Sequence, residues 1–499
     1  MIQGWFSALM ASGGLGRDVI WVIGDSLTRK RDTGAAGTTP AAGTVYQFYN
    51  GTINEIGSTD IQQNDDPNTN WGSMWPDFGI NYYNNTGRKP VLACSGQGGS
   101  TISNDGVDDG YWAPGGAYYS PAKDLCDDAC AAVGVTHPKY TIIHLGINDA
   151  ANAISLATIQ SDISALLTQI NTDYPDTEIL IVQIGRLGAA SINARIAAIR
   201  SYWIAACESF SNVYMAAGLP TFDAIGSMYQ VDNVHLSQTG NLTCAAQLGR
   251  SVLPANVALT KWARTIVSCH LSELSSGRKT LIQNFVTTVG SALFSAEAII
   301  KLKVAATNDA YLDFAMMTAF YNLGGGTITL NDCFTTNGSS TYGSVNFIPN
   351  IALRVTQNNI SAEIKIKDNR TASGSFGTAL GGGSGASHIR IGQTNTIAYG
   401  RINDITSSTF GEAVMADDSR YRTKRTTSTA KTGDKNGTQV FTGSVSSIAM
   451  TANPPSVGAM NVSGVRSDFL NGDFEWVIIA TPAVAETLAG AMETLCDNW

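Results

Sequence analysis

The sequence is poor in charge: Lys, Arg, Asp and Glu make up 14% of its 499 residues, against about a quarter of an average soluble protein. What charge there is leans acidic, with 31 basic residues facing 40 acidic ones. An acidic surface repels phosphate backbones and anionic lipid, so nucleic acid is not an expected partner. The eight cysteines form no CxxC pair and there are only five histidines, which leaves no zinc-type spacing. No metal and no cofactor are expected. No stretch approaches the ~18 consecutive apolar residues that mark a membrane span. Residues 1–17 are apolar around Trp5, Phe6, Leu9 and Met10 but hold no Lys or Arg before Arg17, so they lack the basic start of a secretory signal. They read as an anchoring or packing segment. A protein of this kind that works outside a cell is expected to get there by another route, such as assembly into a particle.

Glycine is plentiful instead, at 51 residues, and apolar residues at 43% suffice to build cores. At about 100 to 200 residues per domain, two to four domains are expected. Charge divides the chain: residues 1–270 hold 14 basic and 22 acidic side chains, a balance of −8, and the remainder 17 and 18, a balance of −1.

From Asp18 to about Pro254, short β-branched runs at Val19 to Ile23, Pro90 to Cys94, Tyr140 to Leu145, Ile179 to Ile184 and Val213 to Ala216 read as strands buried on both faces. Ile159, Ile163, Leu166 and Ile170, then Ile192, Ile196, Ile199 and Trp203, recur at helical spacing between the last three. The expectation is an α/β domain over 18–260 with a parallel sheet covered by helices. Two long loops, from Thr28 to Lys89 and from Thr101 to Pro121, are expected beyond the C-terminal ends of strands, where open α/β sheets bind ligands. Their aromatics Trp71, Trp75, Tyr111 and Trp112 are either sugar-stacking platforms or packing. Cys126 and Cys130 share a face if their segment is helical and read as packing.

A linker is expected over 261–280 and a second domain over 281–499. There the period changes to two, as in Ala362 to Ile366 and Arg420 to Arg425, with turn signals such as Asn436-Gly437. This is the pattern of an antiparallel β-sandwich, ending in a strand at Trp476 to Ala480 and a helix over Ala483 to Leu495. Arg420, Arg422 and Lys424 share one strand face, read as solvated, with an anion site as the alternative.

Four short motifs carry the chemistry. Gly24-Asp25-Ser26-Leu27 follows the first strand directly, placing a serine hydroxyl at the sheet's ligand edge. Asp232-Asn233-Val234-His235 supplies what a serine nucleophile needs: an imidazole base, and a carboxylate three residues earlier to hold its tautomer. His137, His270 and His388 have no such partner and read as structural. Gly146-Ile147-Asn148-Asp149 follows the third strand and offers an amide donor for an oxyanion. Gly96-Gln97-Gly98-Gly99-Ser100 follows the second, where a glycine lets a backbone N–H approach a reacting oxygen.

Together Ser26, Gly98, Asn148 and His235, with Asp232 three before the histidine, resemble the four blocks of the SGNH or GDSL hydrolase superfamily. Gly96 and Gly99 are alternatives to Gly98. The resemblance implies a flavodoxin-like α/β/α sandwich, ester hydrolysis without metal, a Ser26–His235–Asp232 triad and an oxyanion hole of Ser26, Gly98 and Asn148. Asn70-Trp71-Gly72, Gly98 to Ile102 and His144 make the layout similar to carbohydrate O-acetylesterases near the sialate O-acetylesterase-like group, although that group usually has Gln where Asp25 stands. The second half, chiefly His388 to Trp499, resembles concanavalin A-like or laminin G-like jelly rolls. Such domains bind glycans or support trimers, and similar pairings occur on phage virion proteins. The resemblance therefore implies an acetylated glycan as substrate, a trimer or virion proteins as partners, and an extracellular or virion location. A non-catalytic glycan-binding fibre and a lipase or thioesterase are the alternatives.

Overall fold

A computed structural model of the chain describes residues 16–28, 32–33, 37–57, 71–106, 110–152, 154–185, 190–218, 234–270 and 273–301, then 311–313, 318–322, 334–337, 339, 343–344, 355–369, 377–384, 387–394, 397–404, 406–412, 414–450, 456–457, 460–462, 465–467 and 470–498. The expected N-terminal segment lies outside them, Gly16 and Arg17 apart. Among the described residues the chain divides into two compact units, which meet in sequence between Cys269 and His270.

The first unit is built on a seven-stranded sheet. Its strands are β1 (Arg17–Gly24), β2 (Tyr46–Tyr49), β3 (Thr52–Glu55), β4 (Lys89–Cys94), β5 (Tyr140–His144), β6 (Glu178–Gln183) and β7 (Val213–Gly218), in the order β3-β2-β4-β1-β5-β6-β7. All neighbours are parallel except the β2–β3 hairpin. Without that hairpin the order is the 2-1-3-4-5 of flavodoxin-like sheets, whose switch point lies between the first and third strands. Here these are β1 and β5, with Gly24 opposite His144.

The β-branched runs become central strands because both faces are covered: Val19 to Ile23 and Ile179 to Val182 are fully buried. Helix α1 (Trp75–Thr86) packs on α6 (Gln238–Ser251), and α4 (Leu156–Asp173) on α5 (Ala190–Ser209). The α4 stripe Ile159, Ile163, Leu166 and Ile170 is buried as its spacing predicts. This unit also holds α2 (Tyr119–Val133), which buries Cys126 and Cys130, and the short α3 (Ile147–Ala151).

Two expectations are corrected here. Thr28 to Lys89 is not one long loop, since it contains the hairpin and α1. The hairpin closes on Asn50-Gly51, both at positive φ (50° and 73°), the signature of a type I′ turn. Nor is 261–280 a linker. Lys261–Cys269 is a helix, α7, whose Ala263, Ile266 and Val267 are buried at helical spacing and which packs on β7 and α6. Ser276–Val289 is a further helix, α8, in the second unit.

The second unit is β-rich, and among the described residues its strand pairings are antiparallel apart from one short parallel contact, Gly381 to Gly383 beside Met460 to Val462. Ile360–Asn369 lies between Asn471–Ala480 and Ser419–Arg425, and Gly377–Ser384, Ser387–Gln393 and Ala398–Asp404 form a meander. Ile364, Ile366, Leu380, Ile391, Ile402, Tyr421, Phe474 and Val477 share its core. Asn436-Gly437, at φ 51° and 79°, makes the expected turn, and helix α9 (Pro482–Asp497) packs on the Asn471–Ala480 strand.

The basic stripe is not solvated. Arg422 is 2% exposed and pairs with Asp434 and Glu486, while Arg420 reaches Glu493 at 3.2 Å and Glu363 at 3.1 Å. The arginines meet carboxylates from three elements: Glu486 and Glu493 of α9, Asp434 of the strand Ala430–Lys435 and Glu363 of the strand Ile360–Asn369. Burial pushes the Glu363 carboxyl up to about 8, a shift that Arg422 and Arg420 oppose.

Candidate active site

β1 runs buried to Gly24 and ends in a single 3-10 turn, Ser26–Thr28. The turn is drawn tight against β5: Asp25 N donates to His144 O at 3.3 Å. A Cβ on Gly24 would stand 2.7 Å from that carbonyl oxygen and 2.3 Å from Thr28 Cγ2, so only glycine fits. Asp25 Oδ1 accepts from Leu27 N at 2.9 Å, a side-chain bridge across Ser26. Trp75 Nε1 donates to Thr28 O at 2.8 Å and holds the turn's far end. Ser26 is buried at 9% exposure.

His235 Nε2 lies 2.9 Å from Ser26 Oγ. The imidazole enters from the segment just before α6, whose N-cap Ser237 accepts from Gly240 N. Asp232, the expected third member, lies outside the described residues.

The Gly98 motif hangs on β1 from the other side. Ser95 N donates to Val22 O and Gln97 N to Gly24 O, both at 2.8 Å. Gln97 to Ser100 form a turn in which Gly99 takes φ +78°, the position of a type II turn that requires glycine. Gly98 is the exposed residue before it.

Asn148 sits half-buried in α3 and donates from Nδ2 to Ser100 O at 2.9 Å. An amide nitrogen carries two hydrogens, so one bond fixes the plane and the other hydrogen is left to donate elsewhere. Asp149, fully buried, accepts from Ile102 N at 3.0 and 2.9 Å and from Ser103 N at 3.1 Å. The Asn148-Asp149 pair thus ties α3 to the loop that follows the Gly98 turn.

Burial shifts three neighbouring titrations, each towards the neutral form. Asp25 is pushed up to about 7, chiefly by desolvation with Asp149 adding to it; Asp149 rises to about 6, chiefly by desolvation, against the backbone N–H groups of Ile102, Ser103 and Asp149 itself. His144, with no exposure, falls to about 3 and stays neutral, its ring nitrogens unpartnered among the described residues.

Sequence motifs therefore converge at one sheet edge for Ser26, Asn148, Gly98 and His235. The aromatics divide otherwise. Trp75 and Trp112 are fully buried, with Trp112 Nε1 donating to Ser100 Oγ at 2.9 Å, so they are packing residues and not sugar platforms. Tyr111 is half-buried, and the Trp71 side chain lies outside the described residues. Sequence motifs did not mark the second row of the site. Arg200 donates to Ile184 O and Gly185 O, and Trp203 to Leu145 O, so α5 braces the ends of two strands. Asp149 was visible beside Asn148; an arginine inside an apolar helical stripe was the signal for the rest.

No curated protein matches the sequence of this chain. Among solved structures it is similar to a protein from Arabidopsis thaliana (15% identity, 47% of this chain and 98% of that chain, TM-score 0.37). It is also similar to domain 4 of AbnA, an extracellular GH43 arabinanase from Geobacillus stearothermophilus, in complex with arabinotriose (13%, 39% and 97%, TM-score 0.28). A third is the Ruminococcus gnavus IT-sialidase CBM40 bound to α2,3 sialyllactose (14%, 28% and 83%, TM-score 0.23). Scores this low do not establish a shared fold. Residues 20–248 match the family of GDSL-like lipase/acylhydrolases, which together with the mostly parallel sheet supports the first unit as an esterase or lipase-type hydrolase domain of the SGNH/GDSL superfamily.

Proposed function

We propose that the chain is a serine esterase that removes O-acetyl groups from a polysaccharide or glycan. The observation that carries this reading is the 2.9 Å contact between His235 Nε2 and Ser26 Oγ, the distance at which an imidazole takes a hydroxyl proton. Ser26 Oγ attacks the acetyl carbonyl while His235 accepts its proton and Asp232 orients the ring. The tetrahedral oxyanion is met by the N–H groups of Ser26 and Gly98 and by the Asn148 amide. Collapse expels the sugar hydroxyl, to which His235 returns the proton, and leaves acetyl-Ser26. Water, deprotonated by His235, then releases acetate.

A neutral, hydroxyl-rich polymer suits the low charge and the −8 balance of the first 270 residues. The second unit is proposed as a jelly roll of the concanavalin A-like kind that holds the glycan or supports a trimer, with the whole on a virion or outside a cell. Acetate release from a panel of acetylated polysaccharides tests the substrate class. A series of p-nitrophenyl esters tests the chain length: acetate is expected to turn over fastest, and faster hydrolysis of long chains would instead make this a lipase or thioesterase. Glycan binding without release of acetate would make it a binding protein.

A further inference from the structure

Asn148 rides on a helix of five residues, too short to hold its own direction. Its orientation must come from what grips it. At its start, Gly146 has φ +120°, and a Cβ there would lie 2.8 Å from Ile199 Cγ2 of α5. At its end, Arg195, also of α5, donates from Nε to Ala150 O at 3.1 Å, from Nη2 to Asp149 O at 3.4 Å, and to Ile154 O. One planar guanidinium thus collects two carbonyls that the C-terminus of α3 leaves without intrahelical partners, together with that of Ile154 beyond it, and its charge complements the helix dipole there.

We infer that Arg195 is a positioning residue for the Asn148 amide: it fixes the roll of α3 and hence the direction in which the amide donates. The inference rests on the oxyanion role proposed above for Asn148. Arg195 touches neither Ser26 nor the reacting ester in this account; it acts through α3, with the Asp149 carboxylate gripping the loop from the opposite side. Without the guanidinium, the carbonyls of Asp149, Ala150 and Ile154 turn towards water and the short helix loses its reference to α5. A displacement of about 1 Å at a catalytic group costs up to about 100-fold in rate. A lysine at 195 keeps the charge but not the fork, so it restores part of the effect.

The experiment is a double-mutant cycle on p-nitrophenyl acetate hydrolysis by the full chain, with Arg195→Ala, Arg195→Lys, Asn148→Ala and the Arg195→Ala/Asn148→Ala pair, folding of each checked by circular dichroism. Arg195→Ala is expected to lower kcat about tenfold or more with KM within about twofold, Arg195→Lys to recover part of it, and Arg195→Ala to change kcat less than about twofold once Asn148 is alanine. The same loss in both backgrounds, or none in the wild-type background, overturns the inference while leaving the esterase reading intact. If Asn148→Ala leaves kcat unchanged, the oxyanion role itself fails and this inference with it. Should Arg195→Ala not fold, the cycle is run with Arg195→Lys and read in the same way.

Discussion

His235 Nε2 stands 2.9 Å from Ser26 Oγ across 209 residues of sequence. β1 delivers the serine and the N-terminal side of α6 delivers the histidine, so the pair exists only when the whole parallel sheet is formed. Groups that act as one unit lose their function together. Ser26→Ala and His235→Ala are each expected to lower kcat by on the order of 10⁴-fold or more, and the double variant to lose little beyond either single one. Steady-state kinetics on p-nitrophenyl acetate checks this, and multiplicative losses would show that the two residues do not work as a pair.

The bridge across Ser26 predicts a pH dependence of stability. Asp25 titrates near 3.8 when unfolded and near 7 when folded, so between these values the folded chain keeps a proton that the unfolded chain has released. This contribution is full below the unfolded value and is lost as pH rises through the folded one. Asn at 25 keeps an acceptor for Leu27 N and cannot ionise. Asp25→Asn is therefore expected to be the more stable protein above pH 7, with a ceiling of about 4 kcal/mol, and to converge with wild type towards pH 4. Urea midpoints across that range decide it; parallel curves would contradict it.

Gly146 combines φ +120° with a blocked Cβ position against Ile199. Gly146→Ala is expected to cost on the order of 2 kcal/mol or more, because strain and overlap add. The measurement is the urea midpoint at unchanged slope. An unshifted midpoint would mean that α3 moves freely against α5.

In the second unit the Arg422 guanidinium and the Asp434 carboxylate, each 2% exposed, pair with one another. Removing one partner leaves Asp434 with Lys424 alone, so Arg422→Leu is expected to destabilise by about 3–5 kcal/mol. Removing Asp434 as well takes away the stranded charge, and Arg422→Leu/Asp434→Leu is expected to regain part of the loss. Denaturant unfolding of the full chain, followed by the second unit's transition, checks the order of the two variants.

Much of the first unit was legible because its physics is local. Val19 to Ile23 and Ile179 to Ile184 are β-branched runs that suit a sheet covered on both sides, and the α4 stripe repeats at 3.6 residues. Ser26 and His235 were legible as a chemical need: a serine at a strand end requires a base. The β2–β3 hairpin was missed although Asn50-Gly51 is a strong turn pair, because its strands are four residues each and lie in a polar, aromatic stretch. Trp112 read equally as a loop platform or as packing, and it is core once Ser100 Oγ satisfies its Nε1. The stripe at Arg420 and Arg422 has the alternation of a solvated face; carboxylates distant in sequence, among them Glu486 and Glu493 of α9, decide that it is covered. Arg195 was illegible for the same reason, since the carbonyls it gathers come from another helix.

Whether Ser26 is the nucleophile of an ester hydrolase is decided by hydrolysis of p-nitrophenyl acetate by wild type and Ser26→Ala. Turnover is expected of wild type, with acetyl found on Ser26 after rapid acid quench, and loss of both in Ser26→Ala. Equal rates for the two proteins would contradict it.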